Sequence, residues 1–470
     1  MNRRKFIMNS GLVGASPLWL SKSLAAQQAK DKKFVFVVAA AGGASIIDGF
    51  LAQTSGPAAY QAGQLGPDTG LPFRSPVPLD NSIQGVIPLG NGYDINTFLS
   101  KHGNQTAVMT CEVSSVNHLI AAERAVTGDN INRGRTITEE VSFQYSGNSL
   151  LPNIALSAGG YGSPGRDITL SDLHRPVPVS DPLMFAFATH GYKGIKGGPG
   201  GSIMERSRIL RYNLEKVSKV GQSFAKSDRL KAYLHNREKV ARSIERGDSI
   251  SKLLLLDPAT NQLESFGLKV SADLENLFGL FPNMAEDPME SQTALAFLLA
   301  SSGMSNAITF GPSGKPVMSA EGTPNSPIAF DWSHLDHRGA QNAMWGYILS
   351  NLDKLIDLLK ATDIDGDPAK GKMWDKSLIY VATEFGRDKV ASGGSGHHLN
   401  NGVAIISPMI KGGNVFGGVK ADTGITYGFD PMSGEPIQGT TMNEKHIYSA
   451  IATALDLDFP GRIEMACLKG

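Results

Sequence analysis

The chain is short of the features that usually place a protein quickly. It has only two cysteines in 470 residues, Cys111 and Cys467. They cannot build a disulfide framework or a thiolate metal site, and one disulfide or two buried thiols both stay open. Neither charge sign dominates: Lys+Arg and Asp+Glu are both 44, for a formal net charge of zero. That balance argues against a nucleic-acid partner. There is no internal period of the kind that marks a solenoid or propeller. No stretch approaches the ~18 uncharged apolar residues of a transmembrane helix, so none is expected in the mature chain. A Gly-x-Ser-x-Gly elbow and a Walker A loop are both missing. Two motifs fail on inspection. Asp363-Ile364-Asp365-Gly366-Asp367-Pro368 opens like a calcium loop, but its Gly comes too early and Trp374 stands where a bidentate Glu is needed. Gly160-Tyr161-Gly162-Ser163-Pro164-Gly165 spells the dinucleotide fingerprint, but Pro164 opposes the helix start that the fingerprint requires.

What is present is a foldable chain. Hydrophobic residues make up 41% and charged residues 19%, enough apolar side chain for a real core, which excludes global disorder. The N-terminus reads Met1-Asn2-Arg3-Arg4-Lys5-Phe6-Ile7, then a weakly apolar stretch over 11–20, then Leu24-Ala25-Ala26. A basic region, a short apolar region and a small-residue cleavage site make a signal peptide, and the paired arginines before Phe6 resemble the twin-arginine type. The expectation is export through the twin-arginine machinery, cleavage near Ala26, and a periplasmic or extracellular mature protein. Those 26 residues hold Arg3, Arg4, Lys5 and Lys22 and no acid, so their removal leaves a net charge of −4.

Apolar runs over 33–40, 107–109, 307–310, 377–382 and 402–406 predict buried strands. Helical spacing predicts helices over 119–126, 203–245 (with a break near Gly221), 291–302 and 340–360. The Gly- and Pro-rich stretch 146–201 is expected to be mostly loop. Between Glu205 and Arg246 there are twelve basic and five acidic residues, read as a solvated helix face or a surface for an anionic partner. Helices alternating with apolar strands predict an α/β fold, a three-layer α/β/α sandwich with a largely parallel sheet. The expected organisation is a single domain over 27–470 with a helical insertion at about 203–290.

In such sheets the chemistry gathers at the carboxyl ends of strands. The segments there are Gly42-Gly43-Ala44 with Asp48, Asn117-His118, Asp331 to His337, Glu384-Phe385-Gly386-Arg387, and, just before the last strand, His397-His398. Five of the ten histidines lie in these segments, with carboxylates beside them. Imidazole with carboxylate suits Zn²⁺, Mn²⁺ or Fe, and carboxylates alone suit Mg²⁺ or Ca²⁺. A shared metal or catalytic site is the expectation, with the ion's identity open.

These blocks resemble the domain-of-unknown-function 1501 family, exported bacterial proteins regarded as sulfatase-like members of the alkaline phosphatase superfamily. The match rests on an apolar strand ending in Glu384-Phe385-Gly386-Arg387, a Gly-rich segment with His398, Lys411-Gly412-Gly413, Asn117-His118 leading to Thr127-Gly128, and the Asp331 to His337 segment before a long helix. The resemblance implies an alkaline phosphatase-like sandwich and metal-assisted hydrolysis of a small phosphate or sulfate ester. It also implies Asp48, Glu384 and His398 as metal ligands, joined by one or more of Asp331, His334, Asp336 and His337. His118 and Asn117 fall near the reacting centre, and Arg387 is a candidate to balance an anionic substrate group. Two departures stand out. Glu384-Phe385 replaces the Asp-His of active phosphatases, and the place of the nucleophile is taken by His118. The rival expectation is a non-catalytic binding protein that keeps the scaffold.

Overall fold

A computed structural model describes residues 31–47, 49–51, 93, 95–147, 149–156, 158–186, 201–227, 230, 234, 253, 255, 272–312, 317–318, 324–325, 329–388, 393–420 and 425–469. The N-terminal segment read as an export signal, and Asp48, lie outside the described residues.

The strands are β1 (Phe34–Ala39), β2 (Thr106–Glu112), β3 (Asn153–Leu156), β4 (Val177–Val179), β5 (Ala307–Phe310), β6 (Val317–Met318), β7 (Pro324–Asn325), β8 (Ser377–Ala382), β9 (Gly386–Arg387), β10 (His397–His398), β11 (Asn400–Ile406) and β12 (Asn414–Phe416), followed by short C-terminal hairpins. Eight of them form one sheet in the order β12-β2-β11-β8-β1-β5-β3-β4. Of these only β11 runs against the rest, antiparallel to both β8 and β2. β1 lies at the centre, parallel to β8 and β5.

The helices are α1 (Ile95–His102), α2 (His118–Thr127), α3 (Ile137–Tyr145), α4 (Gly201–Val217), α5 (Lys219–Ser223), α6 (Ala272–Leu280), α7 (Pro288–Ser301), α8 (His337–Ala361) and α9 (Glu444–Ala454). Strand β1 shows why two helical layers form. Its β-branched and aromatic residues suit a pleated strand, and neighbours point to opposite faces. Phe34, Phe36 and Val38 enter one core with Phe98 of α1, Leu295 of α7 and Leu352 of α8. Val35, Val37 and Ala39 enter a second core with Ala122 of α2, Val141 of α3 and Ile451 of α9. A sheet apolar on both faces needs cover on both. The result is the expected mostly parallel α/β sheet with helices on either side.

Two expectations are made more precise here. The 146–201 stretch contains β3 and β4, which extend the parallel sheet beyond β5. They are four and three residues long, and β4 holds Pro178. Strands so short show no period, and Pro is tolerated because β4 is the sheet's edge. The break in the basic helical stretch falls at Ser218, which caps α5 by accepting a hydrogen bond from the Gly221 amide, so Gly221 lies inside the second helix. Both cysteines are free and buried. Among the described residues, no helix is long and apolar enough to cross a membrane.

Candidate metal centre

The site sits on the edge where the parallel strands end. Backbone leaving β1, β2, β3, β5 and β8 converges there, and antiparallel β11 begins there, so residues just before β11 arrive at the same edge.

Gly42 and Gly43 turn the chain as β1 ends, with φ of 88° and 78°. A Cβ on Gly43 would come within 2.6 Å of the Phe385 ring and 2.8 Å of Arg387 Nε, so only glycine fits without displacement. The Gly42 amide donates to Glu384 Oε1 at 2.7 Å. After β2, the Asn117 side chain accepts from the Ile120 amide and caps α2. That makes Asn117 a capping residue and sets His118 on the first turn of the helix. Asp331 and His334 lie three apart on a tight helical turn, Ala329–His334, where such residues share a face. The Phe330 amide donates to the Ala41 carbonyl at 3.1 Å, tying this turn to the end of β1. Finally β9 and β10 form a two-stranded ribbon that pairs Arg387 with His397 and Gly386 with His398.

These segments bring together His118, Asp331, His334, Glu384, Arg387 and His397. One ligand atom from each of His118, Asp331 and His397 lies within 4.8 Å of the others. Asp331 Oδ1 is 3.8 Å from both His118 Nε2 and His397 Nε2. It is 3.2 Å from His334 Nε2, which in turn is 2.9 Å from His397 Nε2.

Hydrogen-bond partners assign the imidazole tautomers. His118 Nδ1 is 2.7 Å from Glu384 Oε1, and a carboxylate only accepts, so Nδ1 carries the proton. His397 Nδ1 is 3.1 Å from the Val116 carbonyl and is protonated for the same reason. When these rings are neutral, Nε2 of each is the atom that faces the cluster with a lone pair. His334 Nε2 instead accepts from Arg387 Nη1 at 3.1 Å. The neutral His334 and His397 rings thus present acceptor to acceptor across 2.9 Å, an arrangement that a cation relieves.

The surroundings fix these groups. Glu384 is buried, with Oε1 engaged by Gly42 and His118 and Oε2 facing the buried Tyr161 hydroxyl at 3.5 Å. Its place is behind His118, orienting the ring, rather than among the convergent ligand atoms. Arg387 is also buried: Nη2 donates to Asp331 Oδ1 at 2.7 Å and to the Gly42 carbonyl, and Nη1 to the Ser395 carbonyl at 3.3 Å. It braces Asp331 and His334, with its side chain fully buried. The hydrogen bond to Glu384 raises the pKa of His118, against the effect of burial. Burial, with help from the Arg387 charge, lowers that of His397. Burial also lowers that of Arg387, with Asp331 opposing.

Three sequence candidates fall elsewhere. His398 Nδ1 accepts from the Asn400 amide, because adjacent ribbon residues point to opposite sides and His397 takes the inward place. Asp336 caps α8 by accepting from the Gly339 amide at 3.1 Å. His337 is buried, with Nδ1 2.9 Å from Ser395 Oγ, a contact that holds the 393–398 segment against α8. Sequence reasoning missed His397 as the inward member of its pair, and Tyr161 altogether. The signal for Tyr161 was the Gly-rich turn after β3, a strand too short to see.

Beside the cluster is a cleft of about 240 Å³, whose lining includes His118, Asp331, Glu384, Tyr161, Leu119 and Ala122. No Ser, Thr or Cys is among the described residues that line it. No protein-family model matches the chain, and no curated protein matches it.

Proposed function

We propose that His118, Asp331 and His397 hold a divalent metal, and that the protein is an exported, metal-dependent hydrolase of small anionic esters of the phosphate or sulfate type. The observation that carries this reading is the pair of imidazole Nε2 lone pairs aimed at one carboxylate oxygen, each ring fixed from behind by an acceptor. Metal-binding histidines characteristically donate their other N–H to a carboxylate or a backbone carbonyl, and Glu384 and Val116 supply one of each. Two nitrogens and one oxygen suit Zn²⁺, Mn²⁺ or Fe better than Mg²⁺ or Ca²⁺. Three protein ligands are the number typical of a catalytic site, which keeps a position for water or substrate. Such an ion, when bound, polarises an ester oxygen and lowers the pKa of a coordinated water.

The chain's own part is orientation and charge. Arg387 neutralises Asp331, so the two neutral imidazoles and the ion leave a net positive centre that favours an anion. Glu384 holds His118 in one tautomer, and Tyr161 closes the far side of Glu384. With no Ser, Thr or Cys among the described lining residues, and the Tyr161 hydroxyl turned to Glu384, this reading takes water as the attacking group. The position of the cluster at the carboxyl edge of a mostly parallel sheet supports an alkaline phosphatase-like scaffold and the resemblance to the 1501 family. The paired Arg3-Arg4 supports twin-arginine export. The same shortage of a nucleophile favours a second reading, a metal-holding binding protein. Protein matured through its export route, assayed for metal and for turnover of aryl phosphates and sulfates with and without chelator, separates them. Stoichiometric metal with chelator-sensitive hydrolysis is expected. Metal without turnover selects the binding protein, and no metal refutes both.

A further inference from the structure

Resting on the hydrolase reading, we propose that the cleft selects esters whose alcohol is a compact, uncharged apolar group, and that Leu119 sets this preference. The first turn of a helix usually favours polar or acidic residues, which complement its exposed amides. Helix α2 has no acid there. Around His118 it presents Leu119 and Ile120, with Val116 just before the cap, all exposed, and Leu119 at 75% is the most open of the three. An isolated exposed leucine means little, but this one lines the cleft together with Ala122, Ala158 and Gly160. The cleft therefore has two unlike sides. One carries His118, Asp331 and Glu384, where an anionic head would bind. The other is apolar and follows directly along α2 from a proposed ligand. Among the described lining residues there is no Lys or Arg, so a second negative charge on the alcohol portion would find no partner. An apolar alcohol covers Leu119 and gains from doing so, while a polyhydroxyl alcohol loses water without replacement.

The test uses the metal-loaded, export-matured chain and two substrates with the same head, phenyl phosphate and glycerol phosphate. Non-hydrolysable phenylphosphonate and methylphosphonate are titrated in parallel. Phenyl sulfate against phenyl phosphate reports which head is preferred. The wild type is expected to favour the phenyl ester in kcat/KM by about tenfold or more, and the phenylphosphonate in affinity by a similar factor. Leu119→Asn should narrow both ratios about tenfold with metal content unchanged, and Leu119→Met should restore them. Because Leu119 is so exposed, neither variant threatens folding. A metal-loaded protein with equal activity on both esters, or a preference that survives Leu119→Asn, overturns this assignment alone. A metal-loaded protein that neither turns over an ester nor binds a phosphonate overturns the hydrolase reading with it.

Discussion

Among the described residues, two histidine–carboxylate clusters pass the same distance test, and they differ in what their lone pairs do. His102, Asp353 and Asp357 also bring ligand atoms within 4.8 Å of one another. There, however, His102 Nε2 is 2.7 Å from Asp353 Oδ1, and Lys360 Nζ lies 3.3 Å from His102 Nδ1. Lys101 takes the other Asp353 oxygen at 2.5 Å. Both ring nitrogens are engaged by protein groups and the carboxylate is neutralised by a lysine. This cluster ties the end of α1 to the C-terminal half of α8, and its imidazole has no ring nitrogen left for a cation. In the edge cluster the Nδ1 partners of His118 and His397 sit behind the rings, which leaves both Nε2 atoms on the side of Asp331, where Arg387 braces the carboxylate. Proximity alone does not make a metal site. The side on which the hydrogen bonds fall decides.

The comparison can be broken most forcefully by removing a ligand. Asp331→Ala or His397→Ala should weaken metal binding by about a thousandfold, while Asp353→Asn leaves metal content unchanged, both read by chelator competition and elemental analysis. Equal losses from the two clusters would erase the distinction. Glu384→Gln keeps every proposed ligand but weakens the hold on the His118 tautomer, and should cost about 10–100-fold in metal affinity. No change would mean that Glu384 does not orient the ring. Asp353→Asn should instead lower stability by about 2–3 kcal/mol in denaturant titration, since it leaves buried His102 and half-exposed Lys101 without their carboxylate. The smallest effect is with pH. Burial alone would raise the pKa of Asp353, but hydrogen bonds from His102, Lys101 and Tyr93 outweigh it and hold the group at about 2. A depressed acid stabilises the fold above its unfolded value near ~4, and that contribution disappears as pH falls from there through about 2. Stability curves of wild type and Asp353→Asn should therefore converge over that acid range.

Much of the scaffold was legible in the chain. The runs that became β1, β5 and β8 are apolar on both faces, and a strand buried on both sides leaves that mark wherever it occurs. Helix α2 announced its end, with Gly128 in the left-handed conformation, where a Cβ would meet Tyr448 at 2.5 Å, whereas the capping role of Asn117 came only from the structure. Strands β3 and β4 were hidden because three or four residues carry no period. In α4 the spacing correctly marked a helix, but Ile203, Leu210, Leu214 and Val217 are all exposed, because periodicity reports a face and not what covers it. At the site, the segments were readable from the strand-end rule. The choice between His397 and His398, and the placement of Glu384 and Arg387 behind the ligands, depended on ribbon pairing and hydrogen bonds between residues more than 50 positions apart.

The central claim, a metal held by two imidazoles and one carboxylate at the carboxyl edge of the sheet, is tested most directly by X-ray absorption at the metal edge of the purified, metal-loaded protein. The account expects a light-atom shell with the multiple-scattering signature of two imidazoles, reduced to one in His397→Ala and unaltered in Asp353→Asn. A shell without imidazole scattering, or a signal lost through Asp353→Asn, would contradict it.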